Sequence, residues 1–265
     1  LMKVNIKAKI VKKEQLKEDI YKYSIEANQI AKDAKPGQFI EIRVLDNIEP
    51  LLRRPISIYN IEKETGIVEF IFQVKGKGTE ILAKREVGEE LDVIGPLGYG
   101  TFEVKDYENV AIIGGGIGIF PLYELAKELK EKTNTHVHIY IGFRSKDFIV
   151  LEEEFKKVSD ELTITTDDGS YGIKGFSIDE LKKDAEAKTP NKIFACGPLP
   201  MLKAVQEFSI SKDIPCEISL EEKMGCGIGA CLGCAVKTAR SPKDAPEYWH
   251  VCKAGPVFNA KDVEI

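Results

Sequence analysis

The sequence lacks the features of an exported or membrane-spanning chain. No uninterrupted apolar run approaches the ~18 residues that a membrane-spanning helix needs. Residues 1–20 mix lysine into every apolar stretch, so they provide no signal-peptide core. A net charge of -5 leaves no excess of positive charge for nucleic acid or an anionic membrane surface. These absences predict a cytoplasmic protein with neither a nucleic-acid nor a membrane partner.

Low-complexity composition is absent too. Glycine and proline occur 22 and 12 times in 265 residues, which is an ordinary share and excludes collagen-like or repetitive chains. Hydrophobic residues make up 43% of the chain, enough to build cores and to exclude a disordered protein. At about 150 residues per domain, the length predicts two domains or one large one.

Cysteines are not spread along the chain as a disulfide framework would require. Four of the six lie near the C-terminus, while two stand apart from them: Cys226, Cys231, Cys234 and Cys252 in the first group, Cys196 and Cys216 in the second. Disulfide scaffolds distribute their cysteines through short secreted chains. The clustering therefore predicts one local metal site in a reducing compartment.

Short strand patterns fill the first hundred residues. They cover residues 4–11, 20–27, 38–44, 55–59, 66–74 and 90–94, with one short helical pattern at 79–84. Such runs, separated by turn residues, are typical of an antiparallel sandwich or barrel. Glycine and proline within residues 95–100 mark a boundary. We therefore expect a β domain over residues 1–102.

Strands and helices alternate after that boundary. Strand patterns cover residues 109–113, 136–142, 161–165 and 192–196, and helical patterns cover 120–130, 152–158, 177–188 and 200–208. This alternation predicts right-handed βαβ units on a parallel sheet. We expect an α/β domain over residues 103–220. The remaining segment, 221–265, is too short to bury a core of its own and depends on its metal site.

The cysteine spacing is the most specific signal. Cys226-x4-Cys231-x2-Cys234, followed by Cys252, has the spacing of plant-type [2Fe-2S] ligation. Small residues between these cysteines allow backbone N–H groups to approach the inorganic sulfides. Zinc and unliganded thiols remain alternatives, but zinc loops usually supply two C-x2-C pairs and this loop has one.

Three segments predict a dinucleotide site because each follows a parallel strand. They are the glycine turn Gly114–Gly118, the residue Asp168, and the loop Cys196–Pro198. Ligands of open α/β sheets bind at the carboxyl ends of strands, and a glycine turn that opens a helix favours a pyrophosphate. The alternative is a tight strand-to-helix turn without a ligand. Cys196 is either a buried apolar residue or a contact for the nicotinamide ring.

A flavin site is required if both other sites exist. A nicotinamide exchanges two electrons as a hydride, whereas a [2Fe-2S] cluster exchanges one electron, and a flavin connects the two. The β domain is the unassigned part of the chain. Its strand Arg53–Ser57 carries two arginines on opposite faces, so only one is expected to reach a ligand. The alternative is a solvated basic pair.

The order of these motifs resembles the ferredoxin–NADP reductase superfamily. The tail from Cys226 narrows the resemblance to the electron-transfer subunits of NAD-dependent dihydroorotate dehydrogenase. The fold implied is multi-domain β + α/β, with an N-terminal antiparallel FAD-binding β-barrel, a parallel α/β NAD-binding domain and a small C-terminal [2Fe-2S] module. Arg54 would contact the FAD pyrophosphate, and Ser57 would lie near flavin N5.

The resemblance also implies a full set of cofactor contacts. The FAD contacts would be Arg54, Pro55, Ile56, Ser57, Ile71, Phe72, Gln73, Gly78 and Thr79; the NAD contacts would be Gly114, Gly115, Gly116, Gly118, Asp168, Cys196, Gly197 and Pro198; and the cluster ligands would be Cys226, Cys231, Cys234 and Cys252. No catalytic residue for a dihydroorotate substrate is expected in this chain.

The activity implied is electron transfer in pyrimidine biosynthesis. A separate FMN-containing catalytic subunit would oxidise dihydroorotate to orotate, and electrons would pass through the cluster and FAD to NAD⁺. The complex would be a heterotetramer with two subunits of each kind. Two alternatives stay open: the small subunit of a ferredoxin-dependent NADP oxidoreductase or sulfide dehydrogenase, and a redox-sensing regulatory flavoprotein.

The residues and the family resemblance lead to different predictions about whether the chain binds NAD or NADP. An acidic residue after the second strand of the α/β domain would select the free ribose hydroxyl of NAD. The chain instead has Arg144 and Ser145 there, which could bind a 2′-phosphate. The resemblance favours NAD.

Overall fold

The computed structural model describes residues 3–45, 49–240, 242 and 246–265. The chain divides into two compact units. Unit 1 consists of Leu1–Thr101, Glu221–Ala235 and Trp249–Pro256, and unit 2 consists of Phe102–Leu220, Val236–Tyr248 and Val257–Ile265. The C-terminal segment is therefore shared between the two units in four stretches, which composition and periodicity did not indicate.

Unit 1 is built on a closed antiparallel barrel. In the described part of the chain its strands are β1 (Val4–Lys17), β2 (Ile20–Glu26), β3 (Phe39–Arg43), β4 (Arg54–Glu62), β5 (Ile67–Gln73) and β6 (Glu90–Leu97). They pair in the order β1-β2-β5-β4-β3-β6, and β1 pairs with β6 to close the barrel. Two short helices, α1 (Asn28–Asp33) and α2 (Lys77–Ala83), join them. The sequence patterns predicted the six strands and α2 but not α1.

The barrel core follows from the alternation of side chains along each strand. Ile40 and Ile42 of β3 pack in the same core as Phe70 and Phe72 of β5. Because successive side chains of a strand point to opposite faces, Glu41 lies on the outer face of β3. The outer face of the barrel is thus available for other parts of unit 1.

Unit 2 contains a largely parallel sheet. Its strands in the described ranges are β7 (Asn109–Gly115), β8 (His136–Phe143), β9 (Glu161–Thr166), β10 (Ile173–Lys174), β11 (Lys192–Cys196), β12 (Cys216–Ser219) and, after two short strands β13 (Ala235–Lys237) and β14 (Tyr248–His250), β15 (Val257–Asn259). The order is β10-β9-β8-β7-β11-β12-β15, and β15 runs antiparallel to β12. The predicted barrel and parallel sheet are both confirmed.

The helices of unit 2 join successive strands of this sheet. They are α3 (Phe120–Lys132), α4 (Glu152–Lys157), α5 (Ser177–Ala187) and α6 (Leu199–Ser211), and a short helix α7 (Val251–Ala254) lies in the C-terminal segment. All of β7 is buried, as expected for a parallel strand whose two faces are covered. Across the ranges that the structure describes, no helix combines the length and apolar character needed to cross a membrane.

The strand order reverses between β7 and β11. From β7 the sheet continues through β8 and β9 on one side, and through β11 and β12 on the other. Open α/β sheets bind ligands at such a reversal, in the crevice beyond the carboxyl ends of the strands. The glycine turn Gly114–Gly118 and the loop Cys196–Pro198 follow β7 and β11, so both lie at this position.

Candidate cofactor and metal sites

The four predicted metal ligands lie together in unit 1, in two pairs. In the first pair, a side-chain hydrogen bond links Cys231 to Cys226, and the backbone N of Cys231 also approaches Cys226 Sγ at 3.4 Å. In the second pair, Cys234 Sγ and Cys252 Sγ are 3.3 Å apart and both residues are buried. Within the described residues, no three His, Cys, Asp or Glu side chains surround one ion position. Two pairs suit a two-iron group, in which each iron takes two thiolates, better than a single tetrahedral zinc ion.

Backbone N–H groups converge on the first ligand. The amides of Ile228, Ala230 and Cys231 point at Cys226 Sγ from 3.5, 3.3 and 3.4 Å. Burial raises the pKa of the Cys226 thiol, but these amides outweigh burial and lower the pKa to about 6. The thiolate is the form that binds iron. The donor set and its amide cradle therefore fit an iron–sulfur group.

The second pair is held by the segment that follows Trp249. Val251 N donates to the carbonyl of Cys234 at 2.9 Å, and Cys252 N approaches Cys234 Sγ at 3.4 Å. Burial raises the pKa of Cys252 to about 12, and the neighbouring Cys234 thiol adds to the increase. A metal must therefore displace a proton from this ligand. Metal binding is coupled to proton release in such sites.

The two adjacent arginines of the β domain have different partners. Arg53 Nη2 lies 2.6 Å from Asp92 Oδ1, and Arg53 Nη1 donates to the Asp92 carbonyl at 3.0 Å. Arg54 instead lies against the start of α2, where a Cβ built on Gly78 would fall 2.1 Å from Arg54 Nε. Gly78 is thus required for the close approach. Of the two arginines, Arg54 is the one whose guanidinium lies beside the predicted FAD-phosphate residues.

Several other predicted FAD contacts are engaged within unit 1. Thr79 Oγ1 accepts from the Lys75 amide and donates to the Gly76 carbonyl, both at 2.9 Å, so it orders the start of α2. Gln73 Nε2 donates to Asp19 Oδ2 at 2.6 Å, and the Phe72 ring packs in the barrel core. Of the remaining residues, Ile56 and Ile71 are buried, Ser57 is half-buried and Pro55 is exposed.

The predicted NAD residues of unit 2 form two loops in backbone contact. A Cβ on Gly118 would fall 2.5 Å from Gly197 Cα and 2.8 Å from the Cys196 carbonyl oxygen. A Cβ on Gly115 would fall 2.9 Å from Pro198 Cδ, and one on Gly114 would overlap Ile119. Side chains at these positions would force the loops apart.

Gly116 differs from its neighbours. It has a φ of 54° and no atom within 4 Å of its Cβ position, so its Cα faces open space. The helix α3 begins at Phe120, and its N-terminus favours a phosphate group. Cys196 is 1% exposed, which supports its interpretation as a buried apolar residue.

Asp168 lies in a loop that is linked to the end of β8. Its Oδ1 accepts from Ser170 N at 2.9 Å and Ser170 Oγ at 2.6 Å, and these bonds lower the pKa of the Asp168 carboxyl. Ser170 Oγ in turn accepts from Lys146 N at 2.8 Å, and Asp168 N approaches the Arg144 carbonyl at 3.4 Å. An ionised carboxylate and Arg144 therefore share the loops beyond β8 and β9.

Three family models match the chain in succession. They are described as an oxidoreductase FAD-binding domain at residues 7–102, an oxidoreductase NAD-binding domain at 112–207, and the iron–sulfur cluster binding domain of dihydroorotate dehydrogenase B at 221–264. The protein named dihydroorotate dehydrogenase B (NAD(+)), electron transfer subunit, from Fusobacterium nucleatum is 44% identical over 255 residues, 95% of each chain. The chain belongs to this family. Its Lysinibacillus sphaericus relative of the same name is 39% identical over 254 residues, also 95% of each chain.

Solved structures agree with the fold of this electron-transfer subunit family. A structure described as the NADH-dependent reduced ferredoxin-NADP oxidoreductase matches with a TM-score of 0.85 and 33% identity, covering 97% of this chain and 89% of that one. The ferredoxin reductase in carbazole 1,9a-dioxygenase matches with a TM-score of 0.69 at 23% identity, covering 81% and 68%, and shows the fold alone. The resemblance predicted from the motifs, and the FAD, NAD and iron–sulfur cofactors, are confirmed for this family member.

One residue that the motifs did not identify lies beside the cluster loop of the subunit. Glu41 is 1% exposed, and neither of its carboxyl oxygens has a hydrogen-bond partner among the described residues. Burial raises the pKa of Glu41 to about 7, with Arg53 opposing and Cys226 reinforcing the increase. The available signal was a single acidic residue between the apolar residues Ile40 and Ile42 of β3.

Proposed function

We propose that this chain carries electrons between a dihydroorotate-oxidising subunit and NAD⁺. The observation that carries the proposal is the pairing of four cysteines, in a cradle of backbone amides, on a chain that also holds FAD- and NAD-binding domains. When bound, FAD exchanges electrons singly or in pairs, so it connects a one-electron group to a nicotinamide. The residues of this chain bind, orient and tune these groups.

We propose that Arg54 binds the FAD pyrophosphate. Its guanidinium lies against Gly78, where the absence of a side chain permits the close approach of the charge to the start of α2. A guanidinium suits phosphate oxygens because it offers paired N–H donors in one plane. Ile56 and Ser57, further along β4, would pack against the flavin and donate near its N5 atom. The contacts of Pro55, Ile71, Phe72, Gln73 and Thr79 remain predictions of the resemblance.

We propose that the dinucleotide binds where the strand order of unit 2 reverses. Gly116 presents open space in the turn that leads to the N-terminus of α3, where a pyrophosphate would accept hydrogen bonds from backbone N–H groups. The loop Cys196–Pro198 lies directly against the same turn, so a ligand there would contact both loops. Asp168 would interact with the ribose hydroxyls, since its carboxylate is ionised and exposed.

A catalytic partner follows from the name of the relatives, electron transfer subunit. We propose the finer statement that this partner is an FMN-containing subunit and that the complex has two subunits of each kind. Exposed apolar side chains on the cluster loop support docking there: Ile228 is 47% and Leu232 is 61% exposed. A cytoplasmic location and functional domains at 1–102, 103–220 and 221–265 also remain proposals.

Co-expression with an FMN-containing dihydroorotate-oxidising subunit tests the proposal. We expect the purified complex to be brown and to reduce NAD⁺ when dihydroorotate is added, and we expect neither subunit alone to catalyse this reduction. The isolated chain should still pass electrons from NADH to an artificial acceptor. A colourless chain with stoichiometric zinc, or a flavin-loaded chain without NADH oxidation, would contradict the proposal.

The small subunit of an NADP-dependent oxidoreductase is a second candidate. The 33% identity to the reduced ferredoxin-NADP oxidoreductase structure favours it, as does Arg144, which directly follows β8 and could bind a 2′-phosphate. The two candidates differ in the preferred dinucleotide. We expect kcat/KM for NADH to exceed that for NADPH by at least about tenfold, or about 1.4 kcal/mol. A preference for NADPH that is lost in Arg144→Ala would support the second candidate.

A further inference from the structure

The burial of the Glu41 carboxyl group destabilises the folded state. An unsatisfied buried polar group destabilises a folded protein by roughly 1–3 kcal/mol, and more when it is charged. Native structures hold few such groups, and each has a reason to be retained. Glu41 lies on the outer face of β3, away from the barrel core, so a leucine or valine would serve packing at this position equally well. Stability alone therefore does not explain the acid.

The carboxyl group lies directly against the cluster loop of unit 1. A Cβ built on Gly227 would fall 2.6 Å from both Glu41 Cγ and Glu41 Oε1. Gly227 has a φ of 66° and follows Cys226, the ligand on which three backbone amides converge. The space that a side chain at 227 would fill is thus occupied by the Glu41 carboxyl. The two residues are far apart in the chain, so the fold has brought them together.

The nearest cations do not neutralise this group. Arg53 and Arg54 both act on Glu41 through space. Arg53 is already paired with Asp92 at 2.6 Å, and Arg54 is directed toward Gly78. No hydrogen bond from either guanidinium reaches Glu41 among the residues that the structure describes. In its ionised form, which predominates above the pKa of about 7, the carboxylate consequently adds negative charge to the surroundings of Cys226 in a position from which water is excluded.

We propose that Glu41 lowers the reduction potential of the iron–sulfur cluster. The potentials of such clusters depend on nearby charge, hydrogen bonds to sulfur and exposure to solvent. A negative charge in a poorly solvated position disfavours an added electron more strongly than the same charge in water. A lower potential makes the reduced cluster a better donor to FAD. This inference rests on the cluster ligands proposed above, and it concerns equilibrium potential rather than any proton transfer.

Replacing Glu41 with the isosteric glutamine is the direct test. We expect Glu41→Gln to make one-electron reduction about tenfold more favourable, a positive shift of about 59 mV. The potential is read from the visible and paramagnetic resonance spectra of the full chain, poised at a series of potentials at one alkaline pH. Iron content should not change, and thermal stability should not fall, because an uncompensated buried charge is removed. A structural role for Glu41 would instead lower thermal stability and leave the potential unchanged.

The matched control is Glu69→Gln, because Glu69 is a half-buried carboxylate on β5 that accepts from Ser24 at 2.6 Å and Asn60 at 3.0 Å. A shift in Glu41→Gln no larger than in this control overturns the inference. If Glu41→Gln loses iron, the potential of Glu41→Met is measured instead. Loss of iron in both variants would also overturn the inference, because it would show that Glu41 has a structural role. An iron-free parent chain contradicts the proposed cluster site itself, whereas an iron-loaded parent with an unshifted glutamine variant contradicts only the role of Glu41.

Discussion

Adding one methyl group at Gly118 tests whether the two loops of unit 2 form one dinucleotide site. In Gly118→Ala the new Cβ would fall 2.5 Å from Gly197 Cα, whereas ordinary contact begins at 3.4 Å, so the loops must separate by about 0.9 Å. Overpacking of this kind costs about 1–3 kcal/mol. If the whole cost appears in binding, NADH affinity falls about 5- to 150-fold.

The assay is NADH oxidation with an artificial electron acceptor. We expect KM for NADH to rise by a factor within this range while kcat changes little, because the substitution weakens the binding of the ground state and of the transition state equally. Bound FAD and iron should not change, since their proposed residues lie in unit 1. The control is Gly175→Ala in the same unit, where no atom lies within 4 Å of the Cβ position and only the strain of a φ of 127° is added. An unchanged KM in a stably folded Gly118→Ala would refute the reasoning.

Three further predictions follow from single residues. Cys231→Ala should abolish the iron content and the cluster's share of the visible absorbance while leaving that of the flavin, whereas Cys216→Ala, at a buried thiol on β12, should change neither. Arg54→Ala should weaken the binding free energy of FAD by about 1.5–3 kcal/mol, measured by the fluorescence of released flavin. Arg53→Ala should mainly lower the unfolding temperature, because it removes the ion pair with Asp92. Burial lowers the pKa of His138 below its ordinary value of 6.5, so the folded state favours the neutral imidazole. The resulting contribution to the free energy of unfolding should be complete above pH 6.5 and should be lost as the pH falls below that value, as measured by urea unfolding. His138→Gln should flatten this dependence of stability on pH.

Local motifs were sufficient to predict the three cofactors. The cysteines from Cys226 to Cys234 lie within nine positions of one another, so spacing alone indicates convergence. Neighbouring side chains of a strand point to opposite faces, so Arg53 and Arg54 were expected to have different partners, and they do. Helix α3 was predicted because its apolar residues recur over three turns.

Other features depend on contacts between distant parts of the chain. The approach of Glu41 to Gly227 is set by packing on the outer face of β3, which no periodicity reports. Helix α1 has no capping side chain at Ala27 and no acidic residue in its first turn, so it lacks the signals that mark the start of a helix. The packing of Phe72 in the barrel core is set by strand register, which the motifs do not report. Such features are determined by tertiary packing rather than by local preference.

The strand β15 covers the edge of β12 in the sheet of unit 2. It pairs with β12 through residues 257–259, and it is only three residues long and antiparallel to its neighbour. An uncovered outer strand offers a row of free N–H and C=O groups to another copy of the chain, and short edge strands limit this hazard. A stop codon after Leu220, meant to remove only the iron-binding segment, would also expose β12. The truncated chain should therefore aggregate, and the iron-binding segment helps to keep the nucleotide-binding unit monodisperse.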